Sequence, residues 1–430
     1  MSVGFNLRNL RNLWTQIAWT FATRILMIFN SVVAGIIVAR WLGARGVGEL
    51  AVINVAVATV VQLGSFGLPS SNTYFIAQDQ VRFRSAAINS LMFALVVGSI
   101  LAFALSAIAS VRPDWFGFVS PELIRIASIS IPFQLISLIG LNILLAVGKV
   151  KEFNLLDLAG QSFVLLNALV VLIVLNRGLG TLVTLNTAAA ILVSVVVAIL
   201  LAVSARRLAR SRWRADMSLL RRMITYGIKF HVSILAGAIM LRADLLVVNH
   251  FRGPEEAGVY SVASQFALLL MLLPGVIATL LFPRVTAEQD ARGETTCLVT
   301  RYTTFIMFLC CLAAVPLSLL LPVVYGTAFT DATTLLLILL PGVYLMGLES
   351  VLVQHFNALG LPRAIPVYWV VTLALNLVLV FTLVARFGAQ GAAIASTISY
   401  AAIFALVALH FHTSTGRSFT EVFVLGSLRG

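Results

Sequence analysis

"RWLGARGVGELAV" (residues 40–52) interrupts a long apolar run with two arginines and three glycines, and "HFRGPEEAGVYSV" (residues 250–262) repeats its pattern. A shift of 210 positions lays Gly43 on Gly253, Gly48 on Gly258, Val52 on Val262 and the aromatic Trp41 on Phe251. A shift of 209 lays Asn167 on Asn376, Arg177 on Arg386, and "IPF" at 131–133 on "LPG" at 340–342. No strand precedes the glycines and their spacing fits no phosphate loop. They predict a tight hairpin between two helices, where glycine permits the turn and close packing.

The residues around these hairpins are those of a membrane protein. Apolar residues make up 60% of the chain and charged residues 10%, against about 45–50% and about 25% in soluble domains. Mean hydropathy is +1.03. The net charge of +13 would point to nucleic acid in a soluble protein, but in a membrane protein Lys and Arg gather in cytoplasmic loops. No nucleic-acid partner is expected. Cys297, Cys310 and Cys311 have no ligand spacing, so neither a disulfide framework nor a metal site is expected. The run from Leu13 to Ala39 is too long for a signal-peptide core and is expected to stay as the first helix.

A span needs about 20 mostly apolar residues. That criterion gives spans near 13–39, 47–76, 85–111, 122–147, 153–176 and 179–204, then 225–250, 257–283, 300–321, 333–358, 365–385 and 389–411. Between the two sets lies "ARRLARSRWRADMSLLRR" (205–222), with seven arginines and one aspartate. Such a cluster favours the cytoplasmic side, and six spans on each side of it put both termini there as well. The other loops agree, with nineteen Lys and Arg on the predicted inner side and seven on the outer. Pro69 and Pro274 fall late in the second span of each half, and Pro132 and Pro341 inside the fourth, where a kink is expected.

The expected fold is therefore an all-α integral membrane protein of about twelve transmembrane helices. Residues 1–204 form an N-terminal six-helix lobe, 205–222 a basic cytoplasmic linker and 223–430 a C-terminal six-helix lobe. An even number of spans per half makes the duplication parallel, and such lobes usually enclose a central cavity. No loop is long enough for a soluble catalytic domain, and the outer loops carry no Ser/His/Asp or paired-carboxylate constellation. An alternating-access transporter is expected rather than an enzyme or a channel.

Three basic residues lie inside spans: Arg24, Lys229 and Arg242. An arginine at the bilayer centre costs about 2.5–3.5 kcal/mol on insertion scales and normally faces protein or water. Arg24 follows Trp14, at the predicted inner interface, by roughly 15 Å of helix, too far to snorkel. Gln16, Thr20, Thr23, Arg24 and Ser31 form a polar stripe, as on a helix lining a wet cavity. In the seventh span His231, Arg242 and Asn249 fall on one face of a continuous helix, with Asp244 opposite Arg242. One of Arg242 and Asp244 is expected to face the cavity. The other should meet a neighbouring helix. Lys229 lies near enough to the inner interface to snorkel.

Asp157, Asp244 and Glu349 are candidates either for a coupling H+ or Na+ or for the counter-ions of Arg24 and Arg242. No other cofactor is expected. Asn167 and Asn376 either extend a polar cavity wall or bond between helices. A central arginine with further basic residues suits a phosphate or carboxylate group, so the expected cargo is anionic.

The stretches "ARWLGARGVGELAV" (39–52), "RADLLVVNHFRGPEEAGVYSVASQF" (242–266), "LFPRVT" (281–286), "VYGTAFTDATTLLLILLPG" (324–342) and "NALGLPRAIPVYWVVTLALNLVLVFTLVARFGAQGAAIAS" (357–396) resemble the Wzx-type oligosaccharide flippases. These belong to the multidrug, oligosaccharidyl-lipid and polysaccharide exporter superfamily. The resemblance implies flipping of an undecaprenyl-diphosphate-linked oligosaccharide across the bacterial cytoplasmic membrane for O-antigen, capsule or exopolysaccharide assembly. Membrane lipids, and the polysaccharide polymerase and export machinery, are the partners it implies. In the related lipid II flippases basic cavity residues engage the diphosphate. The resemblance puts Arg24 in that role, followed by Arg242, with Arg45 and Arg252 at the outer mouth; Lys229, His231, Gln16, Asn167 and Asn376, from the polar stripes and register matches above, are the further candidates for the substrate cavity. Drug exporters share the superfamily's fold, so a cation-coupled multidrug exporter is the alternative. A multispan ligase or polymerase of lipid-linked sugars should carry a large outer loop, and the sequence has none.

Overall fold

The computed structural model describes residues 7–79, 83–117, 119–208, 215–288 and 290–424, and all its regular elements are helices. Ten helical runs among them are long and apolar enough to cross a membrane. Two of the ten, Trp19–Gly64 and Ala364–Thr415, have 46 and 52 residues. At 1.5 Å per residue each far exceeds a hydrocarbon core of about 30 Å. Each is interrupted by one glycine. In α1 (Leu7–Gly64) it is Gly43, with φ 65° and ψ −174°, and in α15 (Ala364–Thr415) it is Gly388, with φ 59° and ψ −138°. Counting each of these runs as two spans gives 10 + 2 = 12.

Residues related by the sequence shift share backbone geometry. Gly253 separates α9 (Ala243–Arg252) from α10 (Pro254–Leu269) at φ 91° and ψ 176°, a positive φ with extended ψ like that of Gly43. The second span of each half is also broken near its proline. A turn at Ser65–Gly67 precedes Pro69 in α2 (Leu68–Gln78), and one at Leu270–Met271 precedes Pro274 in α11 (Leu272–Glu288).

The two prolines of the fourth spans behave differently. Pro132 follows a break at Ile129–Ser130 between α4 (Pro121–Ser128) and α5 (Ile131–Ala146). Pro341 sits inside α14 (Asp331–Ala358), which continues through it. There Gly342 lies so close to α15 that an added Cβ would come within 2.6 Å of the Thr397 Cα. The Thr397 hydroxyl donates to the Ile338 carbonyl at 2.7 Å, supplying a bond in the turn that proline loosens.

Two compact units divide the chain: Met1–Leu42 with Ala56–His231, and Gly43–Val55 with Val232–Gly430. Glycine contacts explain why the boundaries depart from the sequence halves. In the second unit a Cβ on Gly48 would lie 1.8 Å from the Pro254 carbonyl oxygen, and one on Gly258 2.0 Å from that of Ala44, so 43–55 packs directly on α10. In the first unit Gly67 and Gly227 touch through their backbones, and the Ser71 hydroxyl donates to the Met223 carbonyl at 2.6 Å. These contacts hold α2 against α8 (Met217–Met240).

The start of α8 is anchored in the same unit. Asn89, on α3 (Phe83–Val111), donates to the Asp216 carbonyl at 2.7 Å and accepts from the Asp216 amide at 3.0 Å. The Leu219 amide and then the Ser218 hydroxyl hold the Asp216 carboxyl below its ordinary range.

Candidate functional site

Arg24 lies on the first span and Asp157 on α6 (Val150–Ala168), the fifth. Their side chains pair at 3.2 Å, with 46% of Arg24 and 28% of Asp157 still exposed. The pair is one rung of a polar ladder between the two helices. On one side Asn154 donates to the Thr20 hydroxyl at 2.8 Å, and on the other Asn30 donates to the Ser162 hydroxyl at 2.9 Å. Asn30 and Asn154 are buried, so the neutral rungs are set into the helix contact while the charged rung keeps an open side. The spacing of 154, 157 and 162 is the helical stripe that would have revealed α6 as the partner of α1. Of the stripe on the first span, Thr23 is buried and turned back on the Trp19 and Thr20 carbonyls. The Gln16 side chain lies outside the described residues.

The seventh span corrects one sequence expectation. His231, Arg242 and Asn249 do not share a face of one continuous helix, because α8 ends at Met240 and α9 begins at Ala243. Arg242 occupies the break, at φ −138° and ψ −22°, immediately before the first residue of α9, and its side chain makes no capping hydrogen bond. It is exposed, whereas His231 and Asn249 are buried. The His231 ring stacks on Phe66 with centroids 6.4 Å apart. The Lys229 side chain lies outside the described residues.

Asp244 is the member of the Arg242/Asp244 pair that meets other helices. Its carboxylate accepts from the Tyr260 hydroxyl of α10, from the Ser396 hydroxyl of α15 at 2.9 Å and from the Leu245 amide at 2.7 Å. Tyr260 and Ser396 were not legible as its partners, because each is an ordinary residue of an apolar span. Glu349 is buried within α14, and its Oε1 has no hydrogen-bond partner among the described residues. Among those residues no His, Cys, Asp and Glu side chains gather in the number that could hold a metal ion.

The register-matched asparagines bond to the span that follows. Asn167 donates to Asn186 on α7 (Leu179–Leu208) at 2.9 Å, and Asn376 donates to Ser399, also on α15, at 3.1 Å. Of the outer-mouth candidates, Arg45 pairs with Glu49 one turn on at 2.9 Å. Arg252 donates to the Ala385 and Arg386 carbonyls at 3.3 and 3.1 Å.

These helices and polar rungs define a polytopic, helical membrane protein, and its fold is similar to that of two solved membrane transporters. A lipid II flippase MurJ in an inward closed conformation superimposes over 95% of this chain and 89% of its own at a TM-score of 0.76 and 15% identity. An inward-facing multidrug resistance MATE family transporter of the MOP superfamily does so over 91% and 94% at 0.71 and 17%. The chain belongs to the polysaccharide biosynthesis protein family, whose model matches residues 37–334. It is 25% identical over 187 residues to a Haloferax volcanii protein named "Probable low-salt glycan biosynthesis flippase Agl15", and 26% identical over 184 residues to a Shigella flexneri protein named "Putative O-antigen transporter". These alignments take in 42% and 41% of this chain, and 40% and 44% of the relatives, so the chain spans less than half of each curated relative it matches.

Proposed function

We propose that this protein flips a polyprenyl-diphosphate-linked oligosaccharide from the inner to the outer leaflet of a bacterial cytoplasmic membrane by alternating access. The polyprenyl carrier is taken as undecaprenyl, and the exported sugars feed surface polysaccharide assembly. The linker at 205–222 and both termini are placed in the cytoplasm, and the two sequence halves act as the lobes of the transporter. The names of the two relatives, a glycan biosynthesis flippase and an O-antigen transporter, support the cargo class.

One observation carries the site. Arg24 holds a half-exposed guanidinium at membrane depth, and its ion-pair partner is a single carboxylate oxygen. A guanidinium offers five donors in a fork that matches a phosphate bidentately. Donors remain for a diphosphate while the sugars are handled elsewhere and the lipid tail stays in the bilayer. Arg242, exposed at a helix break, stays a candidate for an anionic cargo in its own right.

The test is complementation of a flippase-deficient strain at matched expression. Arg24→Ala should abolish surface polysaccharide export and Arg24→Lys should retain part of it, because lysine keeps the charge but not the fork. Export at the wild-type level from the alanine variant would refute the diphosphate assignment.

A further inference from the structure

The Arg24–Asp157 pair is built to open. The neutral rungs on either side, Thr20–Asn154 and Asn30–Ser162, hold the first span against α6 whether or not the ions touch. The pair can part without the helices parting. If a diphosphate occupies Arg24, as proposed above, it competes with the Asp157 carboxylate for one guanidinium. It has the advantage of higher charge and bidentate geometry.

Displacement leaves Asp157 as the unpaired partner. Among the described residues, the helices packed on α6 offer it no other charged partner. On α5 there is no titratable residue, and α7 carries none from Leu179 to Ser204. The first span faces it with Arg24, while at the start of α6 Lys149 and Glu152 pair with each other at 3.4 Å and Lys151, nearly two turns before Asp157, is exposed. A carboxylate stripped of its counter-ion at this depth is strongly unfavourable.

We propose that Asp157 is the exchange partner of the substrate diphosphate on Arg24, and that a monovalent cation, H+ or Na+, binds Asp157 together with the substrate rather than against it. The inference rests on the flippase reading. As substrate arrives, Arg24 turns to the diphosphate and Asp157 takes a proton or sodium ion from solution. As substrate leaves, Arg24 re-pairs and the cation is released. Linkage makes the effect reciprocal, so the cation tightens substrate binding by the factor by which substrate tightens cation binding. The loaded site also carries one negative charge fewer than the diphosphate alone would bring.

The experiment titrates geranylgeranyl diphosphate into the purified full-length protein in nonionic detergent. One arm varies pH from 8 to 6 in potassium buffer, and the other replaces K+ by Na+ at pH 8 and constant ionic strength. Wild-type affinity should rise about tenfold in one arm, and the responding arm names the cation. Asp157→Asn should bind at least as tightly as wild type with no Na+ response, and with only the pH response of the probe's own phosphates. Asp157→Glu, which restores the carboxylate, should follow wild type. A cation response in Asp157→Asn equal to that of wild type, or a wild-type affinity that falls as the cation is raised, overturns the exchange. If instead Arg24→Gln binds the probe as well as wild type, the diphosphate reading fails and the exchange fails with it.

Discussion

Gly48 and Gly258, 210 positions apart and matched by the internal repeat, lie back to back: a Cβ built on either would stand 2.9 Å from the backbone nitrogen of the other. Close helix approach through small residues is the usual packing device in membranes, where lipid gives no hydrophobic drive for association. Here an added methyl group has nowhere to go, since the nearest atoms are the Pro254 and Ala44 carbonyl oxygens, at 1.8 and 2.0 Å. Gly48→Ala and Gly258→Ala should each destabilise the protein by about 1–3 kcal/mol. Thermal aggregation midpoints in detergent are the measurement. A midpoint unchanged in both variants would mean that the hairpins separate freely, against the packing described.

The twelve spans, the glycine hairpins and the proline-linked breaks of the second spans were all legible in the sequence, because they depend on local runs and single residues. The break at Leu241–Arg242 was not. Nothing in "AGAIMLRADLLVV" marks it, as neither proline nor glycine adjoins Arg242, and a continuous helix there put His231 and Arg242 on one face. Arg24 could be singled out by its depth, and Asp157 was already one of its candidate counter-ions. Choosing among Asp157, Asp244 and Glu349 needed the packing of one helix on another. For the same reason Asp244 could not be told from Arg242 until Tyr260 and Ser396 were seen to enclose it.

The turn between the last two spans is clamped from both sides. Arg252 bonds the carbonyls of Ala385 and Arg386, where one helical segment ends, and Glu256 accepts from the Ala389 amide at 2.6 Å, where the next begins. Cation at a helix C-terminus and anion at an N-terminus are the favourable pairings. Gly388 between them has φ +59°, and a Cβ there would fall 2.0 Å from Glu256 Oε1. Gly388→Ala should therefore cost more stability than Glu256→Ala, whose lost cap is worth about 0.5–2 kcal/mol. Arg252→Ala should lower the thermal midpoint and transport together. Transport lost at an unchanged midpoint would show instead that Arg252 meets the cargo.

Asp244 joins three helices by accepting bonds from Tyr260, Ser396 and its own neighbour Leu245. Tyr260→Phe keeps the ring and removes the hydroxyl that serves the carboxylate, a change of about 1.5–3 kcal/mol for a bond to a charged group. Ser396→Ala removes a second such bond but leaves the Tyr260 hydroxyl in place. Chemical denaturation in detergent should rank wild type above Ser396→Ala, and Ser396→Ala above Tyr260→Phe. Equal stability of all three would indicate that water replaces both hydroxyls and that Asp244 is less enclosed than its 3% exposure indicates.

The orientation proposed above rests on charge alone, nineteen basic residues on one side against seven on the other, and can be tested without any knowledge of the cargo. Cys297, Cys310 and Cys311 are first replaced by alanine or serine, leaving a background with no native thiols. Single cysteines then go in at Ser211, within the basic linker, and at Gly178, between α6 and α7, where an added Cβ would meet nothing within 4 Å. A membrane-impermeant maleimide should label Gly178→Cys in intact cells and Ser211→Cys only in inverted vesicles. The positive-inside bias acts through short loops next to spans, and seven arginines in the linker make this the segment where it should be strongest. Labelling of Ser211→Cys from outside intact cells would invert every loop at once. It would also place the inner end of the Arg24–Asp157 ladder on the side of the membrane where glycan is received rather than made.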